Sequence, residues 1–420
     1  AAEPLDLMRH DLTPTELRRD PMTTFVYISP AYPPTNVYFC ERLAASGVTV
    51  LAIGDAPYDE LPNGLTAALT EYYRVDSLED YNRVYRAMAH LIARHGRVDW
   101  VESNNEYWLQ LDARLRTDFN IHTGRRAEKV NEIRSKVDMK QVYLRAGVPT
   151  ARQIRITTLE AAQEFVAQVG YPVIVKPEFG MGATHTYQLR DDAELAGFCS
   201  EPADGPMVME EFVTGDIISY DGIVDHDSVP VFEAATLWPP SIMDIVLNDL
   251  DLAYQVLDEM PDRLRELGQR VLKAFGVRNR WFHLEFFRLS DAKPGLGEVG
   301  DFVALEVNMR PAGGVTVDMY NYARNADVYQ IYADVVSGHD TGAARQATQD
   351  PARCVYASRR DHRDYQLSSD RLAEIYGDAI VAHQRNLELF VPQMGNEYYL
   401  LRTTDAGRAT AFIDDVLRRA

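Results

Sequence analysis

The sequence predicts a chain of mixed α/β and α+β structure. A doubly wound α/β domain comes first, a two-part α+β domain follows, and a small α/β segment closes the chain. Strands and helices alternate in the first hundred residues, and hairpin-like strands then dominate. With 420 residues, 46% hydrophobic and 25% charged, the composition is that of a globular protein of two or three domains. The predicted units are a leader at 1–23 and domains at 24–124, 125–345 and 346–420, with a lid at about 150–213.

The first predicted domain is an open parallel sheet covered by helices. Segments 24–29 (TFVYIS) and 48–55 (VTVLAIGD) have the composition of buried strands, and a helix is expected between them at 34–46. Residues 81–96 form an amphipathic helical pattern that ends at a glycine, and a further strand is predicted at 98–105. This alternation is typical of a doubly wound sheet, in which ligands bind at the carboxyl ends of the strands.

The second predicted domain begins with a helix at 125–147, which Gly147 and Pro149 end. Hairpin-like strands follow, in the segments PVIVKPE, TYQLRD, VMEEFV, DIISYDGIVD and VPVFEAATLW. A helix at roughly 249–276 then precedes two longer strands at 280–289 and 302–309. The insertion SDAKPGLGEVG (290–300) between those two strands is expected to form a surface loop.

Charge and cysteine content exclude several classes of function. The net charge of −20 argues against binding to nucleic acid or an anionic membrane. No apolar run approaches the ~18 residues of a membrane span, and the N-terminal residues lack the apolar core of a signal peptide. The three cysteines, Cys40, Cys199 and Cys354, are far apart and odd in number, so neither a disulfide framework nor a zinc site is expected. A cytoplasmic location fits these features.

Two predicted strands carry acids among apolar residues. In FVALEVNMRPAGG (302–314), Glu306 and Asn308 interrupt a buried pattern and Arg310 follows. Glu285 interrupts WFHLEFFRL (281–289) in the same way, and buried charges need a partner. Carboxylate and amide oxygens suit Mg²⁺ bridging nucleotide phosphates. His283 has no second His or Cys nearby, so we interpret it as packed or hydrogen-bonded rather than as a metal ligand.

A glycine-rich segment, 171–186 (YPVIVKPEFGMGATHT), places Lys176 at the end of a strand before Gly180 and Gly182. Loop amides with a lysine commonly hold phosphate oxygens. The segment matches neither the Walker pattern nor G-x-G-x-x-G, since position 185 is His. A hairpin turn with an exposed lysine is the structural alternative.

Two further segments allow a binding or a structural interpretation. The edge MEEFVTGD (209–216) has the apolar residues and backbone groups to bind an adenine ring, or it is an edge strand with a solvated acidic pair. In ESNNEYW (102–108), Glu102 and Glu106 could bind an ammonium group. Alternatively, Asn105 caps a helix that starts near Glu106.

In this order, Lys136, Lys176 with its glycine loop, MEEFV, HLEFF and LEVNMRPAGG resemble the ATP-grasp superfamily over about residues 125–345. The greatest likeness is to its carboxylate–amine ligases, including L-amino-acid ligase-like and biotin carboxylase-like members. The resemblance implies an ATP-grasp fold, ATP, and two Mg²⁺ ions, with Mn²⁺ as an alternative. Family members often carry a ribose-binding glutamate where this chain has Ile217, and Asp216 is the expected substitute.

The resemblance also implies roles for individual residues. ATP would contact Lys136, Lys176, Gly180, Gly182, Thr184, His185, Glu210, Glu211, Phe212, Val213 and Asp216. The metal ligands would be Glu285, Glu306 and Asn308, and the catalytic pair would be Lys176 and Arg310. Substrate contacts are expected at Glu102, Glu106, Arg310, Gly313 and Gly314.

The implied reaction joins a small carboxylate, such as an amino acid, to an amine through an acyl phosphate and releases ADP and phosphate. A lid would keep water from the intermediate. The partners are small molecules, with no nucleic acid or membrane, and a homodimer is possible. Alternatives are a biotin carboxylase-like enzyme using bicarbonate and a non-catalytic ATP-binding module. A nicotinamide dehydrogenase is disfavoured, because ISPAYPPTN follows the first strand in place of the glycine fingerprint.

Overall fold

The structure is a computed structural model that describes residues 23–180, 185–201, 205–239, 250–342 and 350–420. Its N-terminal part is a four-stranded parallel sheet in the order β3-β2-β1-β4. The strands are β1 (Thr24–Ile28), β2 (Thr49–Gly54), β3 (Glu71–Arg74) and β4 (Trp100–Glu102). The helices are α1 (Asn36–Ala45), α2 (Asn63–Ala68), α3 (Tyr81–His95) and α4 (Leu109–Asp118). The predicted doubly wound sheet is confirmed, and β3, α2 and α4 are additions to it.

A second, antiparallel sheet lies within the segment predicted as the lid. Its order is β5-β8-β6-β7. The strands are β5 (Gln153–Arg155), β6 (Val173–Pro177), β7 (Tyr187–Leu189) and β8 (Met207–Glu211), and we call them the lid sheet. Helix α5 (Lys136–Arg145) precedes the lid sheet, and α6 (Leu159–Val169) and α7 (Asp192–Ser200) pack on it through a separate small core that includes Phe165 and Leu195.

An eight-stranded antiparallel sheet forms the centre of the molecule, in the order β13-β12-β9-β10-β11-β14-β16-β15. Its strands are β9 (Gly215–Val224), β10 (Pro230–Trp238), β11 (Ala253–Val256), β12 (Arg280–Leu289), β13 (Phe302–Asn308), β14 (Arg353–Arg359), β15 (Ile380–Arg385) and β16 (Glu397–Thr403). The segment expected to be a small C-terminal α/β unit therefore supplies three strands to the same sheet. We call this eight-stranded sheet the central sheet.

The remaining helices cover the central sheet. They are α8 (Asp262–Phe275), α9 (Thr316–Arg324), α10 (Val328–Ser337), α11 (Ser369–Tyr376), α12 (Val391–Met394) and α13 (Ala406–Leu417). Helix α8 buries Leu267 and Val271 in a core shared with β9 and β12. Gly268 permits this approach, because a Cβ there would lie 2.1 Å from the ring of Tyr220.

Two predicted helices are shorter than expected. In place of one helix over 125–147, a 3₁₀ turn (Val130–Ile133) precedes α5, because the Ser135 side chain accepts a hydrogen bond from the backbone N–H of Asp138 and starts a new helix. In the second, predicted at 249–276, β11 occupies the first part and the helix begins after Pro261. The apolar residues of β11 are buried between β10 and β14, so pairing within the sheet overrides their helical pattern.

The sequence predicts neither a membrane span nor a disulfide framework, and the structure bears on these only for the described residues. No helix among them is long and apolar enough to cross a membrane. Cys40, Cys199 and Cys354 are free thiols, two of them buried.

Candidate active site

The three predicted metal ligands lie together at one edge of the central sheet. Strands β12 and β13 are antiparallel neighbours, and their register places Glu285 directly opposite Glu306 and His283 opposite Asn308. Directly opposed residues project from the same face of a sheet. Burial raises the pKa of Glu306 despite the nearby ammonium of Lys136, and Glu285 raises it further. Two carboxylates in so little water favour a bound cation.

The His283 side chain links Glu285, which forms the acid pair with Glu306, to the buried Asp221. Its Nδ1 lies 2.6 Å from Asp221 Oδ1 and its Nε2 lies 3.0 Å from Glu285 Oε1. Burial opposes a charge on the imidazole, but Asp221 and Glu285 outweigh it and raise the pKa of His283 to about 9. Burial likewise acts against ionisation of Glu285, yet the hydrogen bond and charge of His283 hold its pKa below the usual value. The interpretation of His283 as a hydrogen-bonded residue agrees with this geometry.

Lys136 lies where the helix α5, the glycine loop and the acid pair meet. Its Nζ donates to the carbonyl of Gly180 at 3.1 Å and lies 3.5 Å from Glu306 Oε1. The backbone N–H of Lys136 donates to the carbonyl of Glu178, and the Ser135 hydroxyl donates to the Glu178 carboxylate. The start of α5 is thus held against the end of β6, which directs the lysine toward the loop.

The side chain of Glu210, a residue predicted to contact adenine, lies between two lysines. It is buried, with Lys176 Nζ at 2.6 Å and Lys140 Nζ at 2.8 Å. Burial alone would raise the pKa of Glu210, but the two ammonium groups reverse the effect and lower it to about 2. The Glu210 side chain fixes Lys176 and Lys140, which excludes the alternative of a solvated acidic pair, and the adenine contact of the edge stays a prediction. Lys140 was missed, because one more lysine on a helix carries no sequence signal.

The other residues of the edge MEEFVTGD (209–216), which we call the hinge, also make contacts within the protein. Glu211 is buried against Arg152, with 2.6 Å between Oε2 and Nη2. Lys293 Nζ, from the loop between β12 and β13, donates to the carbonyl of Phe212. Val213 packs in a small core with Leu296 of that same loop. The loop expected to lie on the surface therefore braces the hinge.

Asp216, the expected substitute for the ribose-binding acid, lies at the start of β9. Its Oδ2 accepts a hydrogen bond from Arg288 at 3.0 Å, and both side chains are well exposed. This exposed ion pair leaves the carboxylate within reach of solvent.

Arg310 follows the acid strand and faces the N-terminal sheet. Its Nη2 donates to Glu106 Oε2 at 2.5 Å and its Nε to the same oxygen at 3.2 Å. Glu106 opens a 3₁₀ turn whose cap is Asn105, as the structural alternative predicted. Asn105 caps the turn and the turn places Glu106 beside Arg310, while the binding of an ammonium group by Glu106 stays a prediction.

Glu102 takes no part in this cluster. It is 1% exposed and accepts hydrogen bonds from Arg116 at 2.9 Å and Arg280 at 2.8 Å. A carboxylate neutralised by two guanidinium groups is not available to an ammonium, so the expected substrate contact is corrected to a buried structural one.

The predicted glycine and loop positions have mixed outcomes. Gly314 has a φ of +63°, and a Cβ there would lie 2.8 Å from Met394 of α12, so the C-terminal segment closes against this loop. Gly313 has open space around it, and His185 has a φ of 56°. Gly182 and Thr184 lie outside the described residues, as does most of the 1–23 leader.

The donor set is suited to a metal that also binds phosphate. Among the described residues, no group of three or more His, Cys, Asp or Glu side chains could hold a metal ion by itself. Glu285, Glu306 and the amide of Asn308 offer hard oxygen ligands at one place, which fits Mg²⁺ completed by phosphate oxygens and water.

Comparisons with known proteins agree with this geometry. Residues 135–211 match the family model described as carbamoyl-phosphate synthase L chain, ATP binding domain. The protein y4rH of Sinorhizobium fredii is 26% identical over 347 residues, which are 79% of this chain and 67% of that protein. Alanine–anticapsin ligase of Bacillus subtilis is 22% identical over 314 residues, 64% of this chain and 62% of that enzyme. The chain thus spans about two thirds of the length of both relatives.

Solved structures share the fold over nearly the whole chain. The L-amino acid ligase from Bacillus licheniformis matches with a TM-score of 0.68 at 14% identity, covering 95% of this chain and 98% of that one. The biotin carboxylase domain of the Hydrogenobacter thermophilus 2-oxoglutarate carboxylase, a dimer in complex with MgADP and bicarbonate, matches with a TM-score of 0.63 at 14% identity, covering 94% and 90%.

The chain therefore has the ATP-grasp fold of these solved structures, as the motifs predicted. Among these relatives and solved structures, the alanine–anticapsin ligase and the L-amino acid ligase are enzymes named as ligases. The predicted fold class is confirmed as well.

Proposed function

We propose that this chain is an ATP-dependent carboxylate–amine ligase that forms an amide or peptide bond from an amino acid or similar small carboxylate. One observation carries the proposal. Lys136 Nζ lies between the glycine-loop carbonyl of Gly180 and Glu306, which itself faces Glu285 across the strand pair. A cation for phosphate and two acids for a divalent ion therefore meet at one point.

The proposed reaction has two steps. A carboxylate oxygen of the substrate attacks the γ-phosphorus of ATP, the bond from that phosphorus to the bridging oxygen breaks, and ADP leaves. The amine nitrogen then attacks the acyl carbon of the acyl phosphate, the bond from carbon to the phosphate oxygen breaks, and phosphate leaves while the nitrogen loses a proton. Activation is needed because a carboxylate oxygen is a poor leaving group.

The residues of the chain position and neutralise the reacting groups. Lys136 and Lys176 would contact the phosphates, with Glu210 fixing Lys176 through their ion pair. Glu285, Glu306 and Asn308 would hold Mg²⁺, and two ions are proposed. When bound, Mg²⁺ supplies positive charge to the triphosphate. Preorganised charges of this kind provide most of the acceleration in phosphoryl transfer.

Arg310 would orient the carboxylate that is activated. Its ion pair with Glu106 is in place in the structure, and together the two side chains suit a zwitterion, with the carboxylate at the guanidinium and the ammonium at Glu106. The backbone of the hinge at Phe212 and Val213 would bind the adenine, held by Lys293.

The test is a matrix of small carboxylates against amines, scored by amine-dependent phosphate release, by nucleotide product and by product mass. We expect ADP and phosphate in a one-to-one ratio with the ligated product. Stoichiometric AMP and pyrophosphate would refute the acyl-phosphate mechanism. Turnover with bicarbonate and biotin alone would replace the ligase proposal with a biotin carboxylase-like activity.

A further inference from the structure

A cleft of about 430 Å³ opens beside the candidate active site, between the N-terminal part and the end of β6. Its lining includes Glu106, the partner of Arg310, and Gly180, the partner of Lys136. A molecule in this cleft would therefore reach the groups proposed to activate a carboxylate. We call it the arginine cleft.

Two guanidinium groups line the arginine cleft. Arg114 lies over the ring of Tyr81, with 3.5 Å from its Cζ to the ring centroid. Arg134 donates to Gln110 Oε1 at 2.6 Å and lies 5.7 Å from the ring centroid of Phe179. In the part of the chain that the structure describes, neither guanidinium forms an ion pair within 4.0 Å, although Glu106 is near enough to act on the charge of Arg134.

These arginines differ from the other arginines around the site. Arg152, Arg155 and Arg310 each form an ion pair with a buried or half-buried glutamate. Glu79 also lines the cleft and accepts a hydrogen bond from the Tyr107 hydroxyl, but neither Arg114 nor Arg134 is ion-paired with it, so the two guanidinium groups form a local positive site in a chain of net charge −20. Such a site attracts an anion, and aromatic rings hold the guanidinium groups in place for it.

Glu106 supplies a negative charge to the lining of the cleft. Both hydrogen bonds from Arg310 go to Oε2, and Oε1 accepts none from any residue that the structure describes. An ammonium group can therefore bind Oε1 without displacing Arg310. Leu78, Trp108 and Leu111 also line the cleft and offer apolar surface to methylene groups.

We propose that the arginine cleft binds an amino acid with an acidic side chain, whose α-carboxylate lies at Arg310, whose ammonium lies at Glu106 and whose side-chain carboxylate lies between Arg114 and Arg134. This inference rests on the proposed function for its account of what happens to the α-carboxylate. It names the substrate class, a dicarboxylic amino acid, which the ligase proposal leaves open.

The experiment compares L-glutamate with L-glutamine, which has nearly the same shape and no side-chain charge. Titration calorimetry on the whole chain should give roughly tenfold or greater preference for glutamate, the size expected for a charge-assisted contact. Arg114→Gln and Arg134→Gln should each remove most of that preference and leave glutamine binding within about twofold of the wild type.

Two controls make the result specific. Arg86→Gln removes an exposed arginine of the same N-terminal part that lies outside the cleft, and it should bind glutamate normally. Arg134→Lys keeps a positive charge and should recover part of the preference, which separates loss of charge from loss of structure.

Binding decides this inference, and ADP release decides the proposed function. Equal affinity for the two amino acids, or a preference that survives both glutamine variants, overturns the arginine cleft as an acidic-side-chain site. Glutamate binding that depends on both arginines, without ADP release for any amine, would support the cleft and refute the ligase proposal.

Discussion

Replacing Glu210 by Gln should destabilise the protein strongly, because it leaves two lysines in the interior without their carboxylate. Glu210 lies 2.6 Å from Lys176 and 2.8 Å from Lys140, and both Glu210 and Lys140 are buried. The pKa of Glu210 is lowered from 4.5 to about 2. At 1.36 kcal/mol per pKa unit, this shift corresponds to about 3 kcal/mol of unfolding free energy at neutral pH. Removal of one partner of a buried pair typically costs about 3–5 kcal/mol.

The same shift fixes how the effect depends on pH. Since the folded-state pKa of Glu210 is below the unfolded one, its contribution is present above pH 4.5 and is lost as the pH falls toward 2. The difference in unfolding free energy between wild type and Glu210→Gln should therefore be largest at neutral pH and should narrow below pH 4.5.

Urea titrations followed by circular dichroism at pH 7, 4 and 3 measure this difference. Glu164→Gln is the matched control, since Glu164 is an exposed residue on α6 beside the same lid sheet. If Glu210→Gln had the same unfolding free energy as the wild type at pH 7, the cluster of Glu210 and two lysines would not be a stabilising unit. The same conclusion would follow if the difference in unfolding free energy between the two proteins did not change with pH.

Three other predictions test the acid pair and its surroundings. Glu306→Gln should retain the wild-type circular dichroism spectrum while amine-dependent ADP release falls by about 100-fold or more, since a ligand and its charge are lost; normal turnover would remove Glu306 from the site. His283→Gln should raise the Mg²⁺ concentration for half-maximal ADP release by about 10-fold, because His283 orients Glu285; a change of less than twofold would contradict that role. Asp112 is buried, and burial raises its pKa to about 7, so its stabilising contribution is complete below its unfolded pKa and is lost as the pH rises through 7. The melting temperature of Asp112→Asn should therefore rise relative to that of the wild type as the pH increases from 5 to 8. A difference in melting temperature that stayed the same over this range would argue against an unfavourable buried charge at Asp112.

The fold class and the two strands that carry acids could be predicted from the amino-acid sequence alone. Alternating strands and helices predicted the N-terminal parallel sheet, since that pattern depends only on which residues are buried on each face. Glu285, Glu306 and Asn308 could be found in the same way, because an acid or amide inside an apolar strand is a local contradiction. Their order along the chain with two lysines was enough to indicate the superfamily.

Local pattern was insufficient where pairing across the sheet competed with helix propensity. β11 has a sequence compatible with a helix, but its place between β10 and β14 buries it as a strand. The start of α5 was likewise decided by contact, because Ser135 caps the helix while bonding to Glu178, 43 residues away.

Which charged side chains contact each other became known only from the packing of the folded chain. Arg310 and Glu106 are 204 residues apart, and Lys293 contacts the carbonyl of Phe212 from 81 residues away. Glu210 has the sequence of an exposed edge residue, yet folding places it between two lysines. An ion pair between distant elements depends on how their surfaces pack, and a one-dimensional pattern carries no record of that packing.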